Sequence, residues 1–214
     1  MPRRKKPSEI YLAWEKIVFG DGTYTHKYSP ESQQAWAALW QQHCEGEAFA
    51  GTSIGDAALL CSLGYDQAAH QGDWHAAKER IERYFEHPQW QTDEDGSQQM
   101  LLGDRARACW ACGDEDQALE LFTQLVAQTK AYHRLPLILV ILVLLEICQS
   151  QPEEAIASDR LIEFSRQVTP QYVGKRVRLK TLAGSTYGEL AALLQSARTA
   201  RESARTARTK KESQ

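Results

Sequence analysis

Three stretches of this chain break a helical pattern with a short turn and then resume it with a small residue on the returning face. In GYDQAAHQGDWHAAKERIERYF, Gly72-Asp73 is followed by Ala77, Ile81 and Tyr84. In ARACWACGDEDQALELFTQLV, Gly113-Asp114 is followed by Ala118, Phe122 and Leu125, and in LLEICQSQPEEAIASDRLIEF, Ser150-Gln151-Pro152 is followed by Ala155, Asp159 and Ile162. Ala118 lies 41 residues after Ala77, and Ala155 lies 37 after Ala118. Each stretch predicts a helix, a tight turn and a second helix, and the alanine lets the two helices approach closely. No such pair can bury its apolar face alone, so neighbouring pairs have to stack.

Ala106, Gly113, Asp114, Ala118 and Phe122 follow the pattern of the tetratricopeptide repeat: a small residue in the first helix, a Gly-Asp turn, then alanine and an aromatic in the second. Gly64 or Tyr65, with Gly72, Asp73, Trp74 and Ala77, follows part of it. The chain thus resembles that family over roughly residues 50 to 167. The third unit departs, with Pro152 in its turn and Asp159 in place of the aromatic, and inserts such as 88–97 stretch the spacing beyond the family's roughly 34 residues. The resemblance implies an all-α, right-handed superhelix of antiparallel helix pairs whose surface binds another protein. An irregular helical bundle is the alternative.

On this reading the chain has a basic segment at 1–7, a helical domain over 8–195 and a basic Arg/Ala-rich tail over 196–214. The clearest repeats fall at about 53–86, 97–129 and 135–167. Capping residues mark further helices. Ser8 precedes a stretch with Ile10, Trp14, Ile17 and Val18 on one face; Ser29-Pro30-Glu31 opens another with Trp36, Leu39 and Trp40; Ser53 with Asp56 forms a capping box. Residues 20–28 read as a loop or short hairpin, and 88–97 as an acidic loop. The run Leu135 to Leu145 is apolar but only eleven residues long, where a bilayer span needs about twenty, so it predicts a buried core helix and no membrane partner. The basic start lacks the apolar core of a signal peptide, and five cysteines without a spacing framework suit a reducing compartment. Both point to the cytoplasm.

Charge is sorted along the chain. Residues 1–7 hold four basic residues and no acid, 8–171 hold 11 basic against 25 acidic residues, and 172–214 hold ten basic against three acidic ones. The tail repeats a seven-residue unit, SARTARE then SARTART, over 196–209. In a helix, seven residues drift by only about 20°, which would hold Arg198, Arg201, Arg205 and Arg208 on one edge.

Signals for catalysis are weak. Cys109 and Cys112 form a C-x-x-C pair, but it precedes the Gly113-Asp114 turn, where a helix dipole disfavours thiolate and no βαβ pattern surrounds it. The six histidines make no metal-binding motif, GTSIG (51–55) lacks the strand-turn-helix of a nucleophile elbow, and DEDG and GDED lack calcium-loop spacing. The expectation is a non-enzyme without cofactor or metal: an interaction adaptor or chaperone-like module whose acidic surface binds a partner protein carrying a basic segment. Trp90, in the polar loop after Pro88, is a candidate anchor, and the four tail arginines are candidate contacts. Nucleic acid held by the two basic ends is the alternative, weakened by the acidic body and by the absence of aromatics from the tail.

Overall fold

A computed structural model describes residues 6–20, 22–44, 46–92, 97–130 and 133–173, together with Thr199 and Thr206. The regular structure among the described residues is helical: nine α-helices and three short 3-10 turns, without a strand. The α-helices are α1 (Glu9–Phe19), α2 (Pro30–His43), α3 (Ile54–His70), α4 (Trp74–Phe85), α5 (Ser97–Ala111), α6 (Glu115–Ala127), α7 (Leu135–Ser150), α8 (Pro152–Ala157) and α9 (Asp159–Val173). The chain divides into two compact units, one ending at Gly113 and the other beginning at Asp114. The boundary therefore falls inside the turn that best fits the repeat pattern.

In the first unit the expected caps form. Ser8, Ser29 and Ser53 accept from the backbone N–H groups of Tyr11, Ser32 and Asp56 at 3.0, 3.2 and 3.1 Å. Asp56 also receives the hydroxyls of Ser8 and Ser53, at 2.5 and 2.7 Å, which ties the start of α1 to the start of α3. Helix α3 is the hub, packed on α4 and also met by α1, α2 and α5. Its side of the core holds Leu60, Cys61 and Tyr65 against Ala77, Ile81 and Tyr84 of α4. Each fully buried apolar side chain of this size stabilises the unit by about 1.5–3 kcal/mol.

The turns Gly72-Asp73 and Gly113-Asp114 have the same backbone. The glycines take φ of +78° and +82°, which L side chains rarely adopt, and the aspartates accept from Ala76 N–H at 3.0 Å and Gln117 N–H at 3.3 Å. Residues 24–28 form a 3-10 turn where a loop or hairpin was expected. Side-chain ties explain the compactness: buried Lys27 pairs with Asp66, Gln67 donates to the Lys27 carbonyl at 2.9 Å, and Tyr28 stacks on His70 at 3.9 Å.

In the second unit the apolar run forms α7 as a core helix, with Leu137, Val140, Ile141, Leu144 and Ile147 buried. No helix of the described residues is long and apolar enough to cross a membrane. Helix α7 packs on α6, α8 and α9. The returning helix of the third repeat-like stretch is broken into α8 and α9 at Ser158, whose hydroxyl accepts from Leu161 N–H at 2.9 Å and donates to Glu115 at 2.8 Å. Phe122 of α6 faces Phe164 of α9 at 5.9 Å.

Candidate interaction surface

Over residues 8–113 the cations are drawn inward. Between residues 8 and 113 there are seven lysines and arginines: Lys27 and Arg107 are buried, Lys78, Arg80, Arg83 and Arg105 are half-buried, and Lys16 alone is exposed. Four guanidiniums lie over aromatic rings. Arg80 is 4.3 Å from the ring centre of Trp36, Arg83 4.8 Å from Phe49, Arg105 5.0 Å from Phe85 and Arg107 4.3 Å from Trp74. A guanidinium is weakly hydrated and planar, so it can leave water for a ring face where an ammonium resists.

Two of these arginines also donate to backbone carbonyls. Arg83 donates from Nε and an η-nitrogen to the carbonyl of Cys44, at 3.3 and 3.1 Å, at the end of α2. Arg80 donates to the Gly64 carbonyl at 3.0 Å. Burial lowers the Arg80 pKa, while Asp73 and Glu79 act to raise it. Arg83 is paired with Glu86 at 2.6 Å and Arg105 with Glu82 at 3.6 Å.

Six carboxylates, Glu9, Glu15, Glu31, Asp73, Glu79 and Glu86, are exposed and four, Asp56, Asp66, Glu82 and Asp104, are half-buried, so among the described residues of 8–113 the exposed charge is mostly acidic. A cleft of about 410 Å³ opens between α1 and α2, with Ile17, Ala35 and Leu39 in its walls and Lys16, His26 and Glu31 among its polar lining. At Gly20, which also lines the cleft, a Cβ would stand 2.6 Å from the Lys16 carbonyl oxygen and 2.7 Å from His26 Nε2.

Trp90 is half-buried. Its ring meets Phe85 edge-to-face at 5.4 Å and packs against the core shared by α3 and α4, which leaves less free ring than its loop position suggested. Arg198, Arg201, Arg205 and Arg208 lie outside the described residues. All five cysteines are thiols, with Cys109 buried in α5 and Cys112 half-buried just beyond it. Among the described residues no group of three or more His, Cys, Asp or Glu converges to hold a metal.

Sequence reasoning missed the outer face of α1. Tyr11, Leu12 and Phe19 are 40, 50 and 44% exposed, and Trp14 joins the two rings, 5.8 Å from Tyr11 and 6.0 Å from Phe19. The signal was present in the spacing: Tyr11, Glu15 and Phe19 recur every four residues, away from Ile10 and Ile17. Comparison of the chain with protein-family models, curated proteins and solved structures finds no match.

Proposed function

We propose that the chain is a helical-repeat protein of the tetratricopeptide-like kind, acting as an adaptor or chaperone-like module whose acidic surface binds a basic segment of another protein. The observation that carries this reading is the inward placement of the cations between residues 8 and 113. Four arginines lie over aromatic rings, two of them also bonded to backbone carbonyls, while six carboxylates are exposed. Such a surface attracts a basic polypeptide, speeds its encounter and repels a nucleic-acid backbone.

The superhelical arrangement is part of the same proposal, supported by two turns of matching backbone and by the close α3–α4 pair around Ala77. Fluorescence anisotropy with a labelled Lys/Arg-rich peptide and an acidic peptide of equal length tests the reading. Only the basic peptide binds, and its affinity falls as salt rises from about 50 to about 300 mM. Equal binding of both peptides, or salt-independent binding, contradicts it.

A further inference from the structure

The cleft between α1 and α2 is polar at one end and apolar at the other. The hydroxyl of buried Ser32 donates to the Ile17 carbonyl at 3.1 Å, which sets the start of α2 against the last turn of α1. From that bond the apolar lining runs one turn back along α1 to Ala13, and one and two turns onward along α2 to Ala35 and Leu39. Lys16, His26 and Glu31 line the end where the chain turns from α1 into α2. Between Ala13 and Gly20 the cleft follows α1 for on the order of 10 Å. Lys16 and Glu31 are exposed, and although both line the cleft, neither side chain makes an ion pair or hydrogen bond among the described residues. Glu15, the carboxylate next to Lys16 on α1, is not part of the lining.

We propose that this cleft binds a free α-amino acid with an apolar side chain. Lys16 takes its carboxylate, Glu31 takes its ammonium, and its side chain lies along Ala13, Ile17, Ala35 and Leu39. A zwitterionic head group finds an opposite charge at both unpaired groups. A fatty acid would set its carboxylate against Glu31, and an alkylamine would set its cation against Lys16. The volume of about 410 Å³ falls at the lower end of the roughly 300–1,000 Å³ of small-molecule sites, whose walls are mostly apolar with a few polar groups that fix orientation. The site is independent of what the acidic surface binds.

The test is isothermal titration calorimetry on the full chain with L-phenylalanine and L-leucine, and with N-acetyl-L-phenylalanine and L-phenylalaninamide, which each lack one charge of the head group. Wild type binds at least one of the two amino acids, and binds phenylalanine about tenfold more tightly than either blocked form. Glu31→Gln weakens phenylalanine about tenfold and leaves the N-acetyl form unchanged; Lys16→Gln weakens phenylalanine about as much and leaves the amide unchanged. Ala35→Leu, at an exposed position on α2, fills the apolar end and weakens every ligand. Melting curves confirm that the variants fold, and Glu79→Gln, an exposed carboxylate on α4, leaves binding unchanged. Binding of neither amino acid overturns the proposal, as does phenylalanine binding that survives Glu31→Gln and Lys16→Gln. Tighter binding of a blocked form than of phenylalanine overturns it in favour of a singly charged ligand.

Discussion

Arg80 of α4 lies 4.3 Å over the ring of Trp36 of α2. Both close on Gly64 of α3: Arg80 donates to its carbonyl at 3.0 Å, and a Cβ at residue 64 would stand 2.4 Å from Trp36 Cζ2. Three helices are pinned at one point. The indole cannot retreat without loss, because its Nε1 donates to the Leu60 carbonyl at 3.1 Å.

Gly64→Ala therefore destabilises the protein by about 1–3 kcal/mol through overpacking, although helix propensity alone would favour alanine by about 1 kcal/mol. Gly55→Ala, in the first turn of the same helix and with nothing within 4 Å of its added methyl, is neutral or stabilising by about 0.5–1 kcal/mol. Urea denaturation of the two variants gives opposite signs. Matching signs would contradict the close approach.

The two Gly-Asp turns fail for another reason. At Gly72 and Gly113 an added Cβ meets nothing within 4 Å, so the cost is that of φ near +80°. Alanine at either position costs about 1–2 kcal/mol, and asparagine costs less because it tolerates this region. Thermal melts of the four variants check the order.

Ser158 joins α8 to α9 through one hydroxyl. Ser158→Ala loses the bond from Leu161 N–H and the one to Glu115, and destabilises by about 1–2 kcal/mol. Threonine restores both bonds. Aspartate restores only the cap, since its carboxylate would face that of Glu115 and has no proton to donate. Denaturation midpoints in the order Ser, Thr, Asp, Ala support this role, while a harmless alanine contradicts it.

The buried thiols predict an alkaline limit to stability. Burial pushes Cys44 up to about 12 and Cys148 up to about 11 from an ordinary value of 9.0, and raises Cys61 as well. The thiols stay neutral in the folded state while an unfolded chain ionises them. Their contribution is therefore complete below about pH 9 and is lost as pH climbs towards 11–12. At pH 8 a thiol reagent labels half-buried Cys112 first, and the buried thiols follow only as the chain opens. Rapid, uniform labelling of all five would contradict the packing.

Much of the fold was legible because it is written locally. Ser8, Ser29 and Ser53 announce helix starts, and Gly72 and Gly113 announce turns that only glycine takes readily. The run from Leu135 announces a core helix by being too short for a membrane. The break at Ser158 was not legible, because it depends on Glu115, 43 residues away in sequence. The 3-10 turn at 24–28 likewise depends on Asp66, Gln67 and His70 of α3. At the candidate surface, charge sorting along the chain could be read from sequence, but charge sorting between inside and outside could not. That required seeing Arg80, Arg83, Arg105 and Arg107 over their rings.

The central claim is that the acidic body, and not the basic ends, makes the main contact. The most direct measurement is a competition between a labelled arginine-rich peptide and single-stranded nucleic acid. It uses the full chain and a variant in which Arg198, Arg201, Arg205 and Arg208 are glutamine. The account predicts that both proteins bind the peptide, that the variant binds it at least as tightly, and that nucleic acid does not displace it. Nucleic acid that binds in preference to the peptide, with that preference abolished in the glutamine variant, would contradict it.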